Sequence, residues 1–435
     1  MNLLLGRNRT RAWSVALVLI LSVVACAAQS LAPVIEVPNP PNAAAHLSKP
    51  YVVLVSLDGF RYDYTERYGA KNLLDMALRG VSAPNGMIPS YPSVTFPNHY
   101  TIVTGLYPEH HGIVANNFYD PERKEKYSFS DPKTNADGSW YGGTPLWVLA
   151  EQQGMRSACL FWPGSEAEIQ GKRPSYYLHF DDKFPDEQRV QQILAWLKLP
   201  VKERPHFITL YYSNVDHAGH EFGPGAPETG EAVRHVDEMI GILYEGIARL
   251  GLSVDLIVVA DHGMETTEGG WIALDKWADL LQFETSGPLL YAKSEADAEM
   301  AYNSLLGATD LFEVYRRAKM PESLHFDSNP RVGDPVVVPT GPFSIVAHMP
   351  SNLMMPPQGA HGYDPDTMPS MKAIFYAAGP EIRAGLTVAP FENIHLYPLI
   401  AKILGLQIGP VDGQLRVLEG VLKKPSPHRR RRARK

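Results

Sequence analysis

The stretch YVVLVSLDG, Tyr51 to Gly59, decides the fold: a near-continuous apolar run that ends abruptly on an acid and a glycine. Such a run suits a strand covered on both faces, as in a parallel sheet flanked by helices. The pattern recurs at HFITLYYS (His206 to Ser213), DLIVVA (Asp255 to Ala260) and KAIFYAA (Lys372 to Ala378). Amphipathic segments lie between the runs. DEQRVQQILAWLK places Val190, Ile193, Leu194 and Leu197 at helical spacing. EAVRHVDEMIGILYEGIARLG does the same with Val233, Val236, Ile240, Leu243, Ile247 and Leu250, and Gly251 stops it. Strands alternating with helices predict a layered α/β domain with a mostly parallel sheet.

Metal-binding side chains follow the first three runs at once. Asp58 follows the first, Asp216 and His220 the second, Asp261 and His262 the third. In open α/β sheets, ligands bind beyond the carboxyl ends of the strands. One Asp after a strand is an ordinary turn former. Three strand ends delivering acids and imidazoles to one edge point to a metal site. His361, in the glycine-flanked loop QGAHGYDP, is a further ligand candidate. Carboxylate plus imidazole without cysteine favours zinc over magnesium or calcium. His99, His110, His111, His217 and His348 read as hydrogen-bonded or exposed histidines.

The stretch PSYPSVTFPNHYTIVTGLYPEHHGIVANN, Pro89 to Asn117, is dense in prolines, hydroxyls, histidines and asparagines. Its polarity predicts that it is not the middle of a core helix or strand. Pro97 pre-sets a helical φ, so a helix can begin around Phe96. Thr95 then has two readings, a helix cap or a hydroxyl nucleophile in the positive potential of a helix N-terminus.

The 435 residues allow one large or two ordinary domains, and the net charge of −7 argues against binding a nucleic-acid duplex. Arg7, Arg9 and Arg11 precede an apolar run from Trp13 to Ala25, which reads as an export signal over residues 1–28. Ala25-Cys26-Ala27 suits a cleavage site. Val23 to Cys26 also resembles a bacterial lipoprotein box with Cys26 lipidated, and an uncleaved anchor helix is a third reading. Cys159 is then the one remaining cysteine, in apolar surroundings that predict a buried, inert thiol. Export without a disulfide suggests a bacterial periplasm, with or without lipid attachment to the envelope. Pro- and Ala-rich residues 29–49 read as a linker, 50–423 as the catalytic domain with a smaller insertion within about 264–350, and 424–435 as a basic tail. That tail is either solvated or attracted to an anionic surface.

From VLVSLDGFRYDY through the Pro89–Asn117 stretch, FWPGSEAEIQG, ERPHFITLYYSNVDHAGHEFGP, VVADHGM and HGYDP…MKAIFYAAGP, the chain resembles the nucleotide pyrophosphatase/phosphodiesterase family, within the alkaline phosphatase superfamily. The resemblance covers most of Tyr51 to Pro380 and suggests a bacterial exported member. It implies an alkaline phosphatase-like sheet flanked by helices, with a small α/β insertion. It implies two Zn²⁺ ions, one held by Asp58, Thr95, Asp261 and His262, the other by Asp216, His220 and His361. Thr95 would be the nucleophile and Asn116 a donor to a phosphoryl oxygen. Phe96 and Phe180 would form a nucleobase slot, with Phe180 where relatives often carry Tyr. The implied reaction is hydrolysis of nucleotide phosphodiester and pyrophosphate bonds, such as ATP to AMP and pyrophosphate, through a threonyl-phosphate ester. The absence of Arg and Lys from Thr95 to Asn117 favours a diester over a dianionic monoester, unless Arg156 or Arg173 folds in. A sulfatase signature fails at Val94, where Arg is required. Two alternatives stand beside this reading: the same chemistry on choline or lysophospholipid diesters, and a non-catalytic zinc-stabilised envelope binding protein.

Overall fold

The computed structural model describes residues 33–350 and 355–424. The export signal, Cys26 and the basic tail from Pro425 onward lie outside the described residues.

The three apolar runs Tyr51–Leu57, Phe207–Tyr212 and Val254–Val259 are strands buried along their whole length. They lie side by side at the centre of a nine-stranded sheet. Its order is Ile35–Glu36, Tyr176–Leu178, Ser157–Leu160, Phe207–Tyr212, Tyr51–Leu57, Val254–Val259, Phe375–Ala378, Val81–Ser82 and Leu386–Thr387. The pairings from Tyr176–Leu178 through Val254–Val259 are all parallel. The fourth run departs from expectation: Phe375–Ala378 is antiparallel to Val254–Val259, with Phe375 opposite Val259. The chain enters this strand from the edge where its neighbours end, straight after the loop that carries His361. Burial on both faces, not strand direction, sets the apolar composition, so the sequence could not distinguish the two.

Both expected helices form. Asp186–Leu197 buries Val190, Ile193, Trp196 and Leu197, with Leu194 half-buried. Pro227–Leu250 buries the Val233, Val236, Ile240, Leu243 and Ile247 stripe and ends on Gly251 at φ +65°, in the left-handed region. Cys159 is buried and free, and burial pushes its thiol well up.

Two expectations are corrected. Residues 33–49 are no linker. Ile35–Glu36 pairs with Tyr176–Leu178 as the edge of the sheet. Buried Asn42 donates to the carbonyls of Val201 and Arg204 and accepts from the Arg156 amide. Specific polar contacts fasten a segment whose composition alone suggested none. Second, the polar stretch does contain a core helix. Thr95–Thr104 is buried from Phe96 onward. Most of its polar side chains have partners inside, the buried Tyr100 hydroxyl excepted. Thr101 meets His111, Thr104 donates to the Tyr100 carbonyl, and His99 is held between Ser56 and the Thr95 carbonyl. Fully satisfied polar groups cost little to bury.

Between His262 and His361 the chain builds a small lobe with its own core of Leu274, Leu290, Leu305, Phe312, Val337 and Ile345. Its helix Glu295–Leu305 is capped by Ser294. Arg331 of the lobe reaches Asp120, and Glu109 accepts from the amides of Asp327 and Ser328.

Asp255, fully buried near the start of its strand, gives a stability signature remote from the strand ends. One oxygen accepts from the Glu381 amide and the other has no hydrogen-bond partner. Burial pushes the carboxyl up to about 7 from 3.8. A carboxyl held neutral contributes its stability below the unfolded value and loses it as pH rises through the folded one. Relative to Asp255→Asn, the wild-type chain should therefore lose stability between about pH 4 and pH 8. The loss should reach roughly 4 kcal/mol, at about 1.36 kcal/mol per pKa step. Denaturant unfolding of both proteins across that range checks this, and a pH-independent difference would refute it.

Candidate active site

The parallel strands end on one edge, and their following residues converge there. Asp58 leaves the Tyr51–Leu57 strand with its amide bound to the Tyr212 carbonyl. Gly59 follows at φ +68°, where an added Cβ would lie 2.8 Å from Asp216 Cα, so only glycine lets the two strand ends approach. After Phe207–Tyr212 the helix Asn214–Phe222 begins, and Asp216 and His220 lie one turn apart on one face. Asp261 and His262 turn off Val254–Val259, and their side chains meet at 3.0 Å. His361 comes in on its loop and stacks on His262, ring centroids 3.6 Å apart.

The polar atoms of this cluster are arranged for a cation. His220, His262 and His361 each direct Nδ1 at a backbone carbonyl, of Gly359, Gly263 and Ser93, at 2.7, 2.9 and 2.9 Å. A carbonyl only accepts, so Nδ1 carries the hydrogen, and in the neutral ring Nε2 offers a lone pair. His220 Nε2 and His361 Nε2 then face each other at 3.2 Å, with Asp216 Oδ1 at 3.4 and 3.6 Å from them. Asp58 Oδ1, Asp216 Oδ1 and Asp261 Oδ2 are buried without hydrogen-bond partners. Acceptors crowded on acceptors repel unless positive charge lies between them.

The titration shifts carry the same message. Burial, with Asp261 and Asp216 alongside, pushes the Asp58 carboxyl well above its ordinary range. Burial also raises Asp261, yet His262 and His99 override it and hold that carboxyl well below the range. Burial opposes charge on His262, but Asp261 holds its imidazole above the ordinary value. Burial, then His262 and His220, push His361 well down. The oxygen and imidazole donor set fits a divalent cation such as zinc. Two groups have ligand atoms within 4.8 Å of one another: Asp216, His262 and His361, and Asp58, His99 and Asp261. His99 is better placed as a brace. Its Nδ1 donates to the Thr95 carbonyl at 2.8 Å and its Nε2 accepts from Ser56 at 2.8 Å.

Thr95 opens the Thr95–Thr104 helix without capping it: Val94 is the cap residue and no side chain caps. The Thr95 hydroxyl instead lies 3.4 Å from His262 Nε2. Asn116 Oδ1 accepts from the Phe96 amide at 2.9 Å, leaving its NH₂ group to donate into the cleft. That cleft, about 830 Å³, is lined by Asp58, Thr95, Asn116, Asp216, His220 and His361 at one end. Phe96, Phe129, Phe161, Trp162, Phe180 and Tyr211 line it further out. Among the described residues, no Arg or Lys lines it. Arg156 is engaged by Glu203 and the carbonyls of Pro40 and Asn39, and Arg173 by Glu166 and Glu168. His110, His111 and His348 stay outside the cluster, beside Asp412, Thr101 and Asp275. His217 lies on the cleft wall near Asp182.

Sequence reasoning missed several residues. Tyr211 donates to Asp58 Oδ2 at 2.5 Å, and Glu166 accepts from the Phe180 amide at 2.8 Å. Both sit in runs that read as ordinary strand or loop. Phe161 directly follows a strand at φ +66°, a conformation a bulky residue rarely adopts and one that no composition signal announces.

Fold and site together set carboxylate and imidazole donors on strand ends beside a hydroxyl at a helix start. The family described as Type I phosphodiesterase / nucleotide pyrophosphatase matches residues 52–364, and this chain belongs to it. An uncharacterised pyrophosphatase/phosphodiesterase of Schizosaccharomyces pombe is 39% identical over 392 residues, 86% of this chain and 80% of that protein. Human ectonucleotide pyrophosphatase/phosphodiesterase family member 1 is 37% identical over 406 residues, 89% of this chain but 43% of the human protein. The chain thus spans less than half of such mammalian relatives. Murine ectonucleotide pyrophosphatase/phosphodiesterase 5, solved in an inactive form in complex with AMP, superimposes with a TM-score of 0.80. The match is 30% identical and covers 86% of this chain and all of that one.

Asn98 fixes the start of the helix that carries Thr95. Its Oδ1 accepts from the Ser90 amide and from Asn393, and its Nδ2 donates to the carbonyls of Ser90, Pro92 and Val94. Asn98→Ala strands two buried donors, so the unfolding free energy should fall by roughly 2–4 kcal/mol. Chemical denaturation measures it. A loss below about 1 kcal/mol would show that water replaces the amide.

Proposed function

We propose that this protein hydrolyses nucleotide phosphodiester and pyrophosphate bonds, cutting ATP to AMP and pyrophosphate, with two Zn²⁺ ions and Thr95 as nucleophile. The observation that carries this reading is the position of the uncapped Thr95 hydroxyl. It sits beside a cluster of partnerless carboxylate oxygens and facing imidazole nitrogens, at the end of an aromatic cleft. Asp58, Thr95, Asp261 and His262 would hold one ion, and Asp216, His220 and His361 the other. When bound, the ions supply charge neutralisation at the phosphoryl oxygens and acidify the oxygens they contact.

The chain's own groups do the rest. Thr95 Oγ attacks phosphorus, the P–O bond to pyrophosphate breaks, and the nucleoside phosphoryl group becomes a threonyl-phosphate ester. Water then hydrolyses that ester and releases AMP. The dipole of the helix that Thr95 opens places positive potential near the phosphoryl charge. The Asn116 amide donates to a phosphoryl oxygen. A neutral donor and a cleft without Arg or Lys suit a diester, which carries one charge. Phe96 and Phe180 offer faces for the base, and Phe180 lacks the hydroxyl of a tyrosine. AMP in the murine neighbour supports the nucleotide reading.

A second reading keeps the chemistry and exchanges the base for a choline headgroup. It is favoured by the aromatic wall with Glu166 and Asp182 beside it. A non-catalytic zinc protein fits less well, because structural sites close their shells with cysteine. The Arg-then-apolar N-terminus and the lone Cys159 support export to a bacterial periplasm, with lipidation of Cys26 as the anchored variant.

The test is ATP hydrolysis with products resolved by chromatography, before and after chelation and zinc return. AMP and pyrophosphate, lost on chelation and restored by zinc, are expected. ADP and phosphate would overturn the diesterase reading. Turnover of glycerophosphocholine but not ATP would favour the choline reading. Thr95→Ala should lower kcat by about a thousandfold or more, roughly 4 kcal/mol. A variant within about threefold of wild type would remove Thr95 from the nucleophile role.

A further inference from the structure

Behind the aromatic wall lies a buried cation that the chemistry above leaves unused. Arg189, on the Asp186–Leu197 helix, is 1% exposed and does not line the cleft. Its Nη2 donates to the Asp182 carbonyl at 3.1 Å, its Nε to the Phe184 carbonyl at 3.1 Å, and its Nη1 to the Tyr211 carbonyl at 2.9 Å. Asp186 Oδ1, at 3.3 Å from Nε, balances the charge. The guanidinium also lies over the rings of Phe161 and Tyr212, 5.1 and 5.3 Å from their centroids. Phe161 in turn meets Phe180 and Phe184 edge-on, each at 5.6 Å.

We propose that Arg189 is a positioning residue for nucleotide binding, fixing the Phe180–Phe184 loop and the Phe161 ring against the end of the strand whose Tyr211 holds Asp58. The proposal rests on the nucleotide reading above. Phe180 is 49% exposed and its loop has no regular structure, so its own packing does not hold it. Two attachments do: the Phe180 amide on Glu166, and the Arg189 fork on the next turn of chain. The third arm of the fork reaches the Tyr211 backbone carbonyl and so ties the loop to the end of that strand. The flat, five-donor guanidinium spans three carbonyls at once, which a compact ammonium cannot do. Phe161 keeps its left-handed backbone conformation over this cation, where strain must be over-determined by its surroundings.

Two esters with the same leaving group isolate the role: thymidine 5′-monophosphate 4-nitrophenyl ester, which fills the slot, and methyl 4-nitrophenyl phosphate, which does not. Wild type should prefer the nucleoside ester strongly. In Arg189→Lys, KM for the nucleoside ester should rise about tenfold or more, while its kcat and the kcat/KM of the methyl ester hold within about twofold. In a Phe180→Ala background the same change should add almost nothing, because the two act through one loop. Equal losses on both esters would overturn the proposal and leave Arg189 a plain stability residue. An unchanged KM would overturn it as well. Should Arg189→Lys yield no soluble protein, Arg189→Met, of similar length and suited to a buried site, takes its place with the same expected split. A wild-type enzyme that treats the two esters alike would overturn the nucleotide reading, and with it any base slot for Arg189 to position.

Discussion

Acids and imidazoles meet at the carboxyl edge of one sheet with lone pairs turned on one another, and the rest of the structure is arranged to hold them there. Two ring nitrogens face each other at 3.2 Å, and three buried carboxylate oxygens have no hydrogen-bond partner. Each side chain is anchored from behind. Backbone carbonyls take the Nδ1 hydrogens, the Tyr211 hydroxyl takes one oxygen of Asp58, and the Gly59 amide reaches Asp261 at 3.3 Å. Such outer partners orient ligands and set their basicity. Repulsion among the acceptors is the cost of a site prepared in advance for positive charge.

The sheet topology makes this preparation possible. Parallel strands bring their ends to one edge, so residues distant in sequence arrive together. The antiparallel Phe375–Ala378 strand completes the arrangement, because its entry lies at that edge and brings the His361 loop with it. The buried Thr95–Thr104 helix adds a hydroxyl at the same place. Its interior carries polar groups that a helix stabilised by apolar contacts alone would lack. Directional bonds from Asn98 and His99 locate Thr95 more sharply than aliphatic packing, which tolerates rotation and sliding.

The outer cleft is built differently. Phe96 packs against Phe129 at 5.4 Å, and the Phe161, Phe180 and Tyr211 rings meet edge to face. Aromatic contacts of this type suit a planar ligand but give little directional hold of their own. Glu166 on the cleft wall and Arg189 behind the rings supply that hold. The donor cluster and the aromatic wall therefore follow one rule: the groups that face the cleft are held by directional polar contacts as well as by packing.

Much of this was legible in the residue order. The apolar runs located the central strands, because a strand buried on both faces has to be apolar throughout. The acids and histidines directly after those runs located the cluster, because strand ends in such sheets face ligands. Asp58, Asp216, His220, Asp261 and His262 were readable as candidates on that ground, His361 from its glycine-flanked loop, and Thr95 from the helix start that Pro97 sets. Only the tertiary structure decided the direction of Phe375–Ala378, since burial leaves no mark of strand polarity. It alone showed that residues 33–49 close the sheet edge and that a helix rich in Asn, His and Thr lies in the core. Those outcomes depend on hydrogen-bond partners such as Val201, Ser56 and Asn393, which no local pattern announces. The supports Tyr211, Glu166 and Arg189 were hidden for the same reason: composition records what a side chain is, and folding decides which carbonyl or carboxylate it reaches.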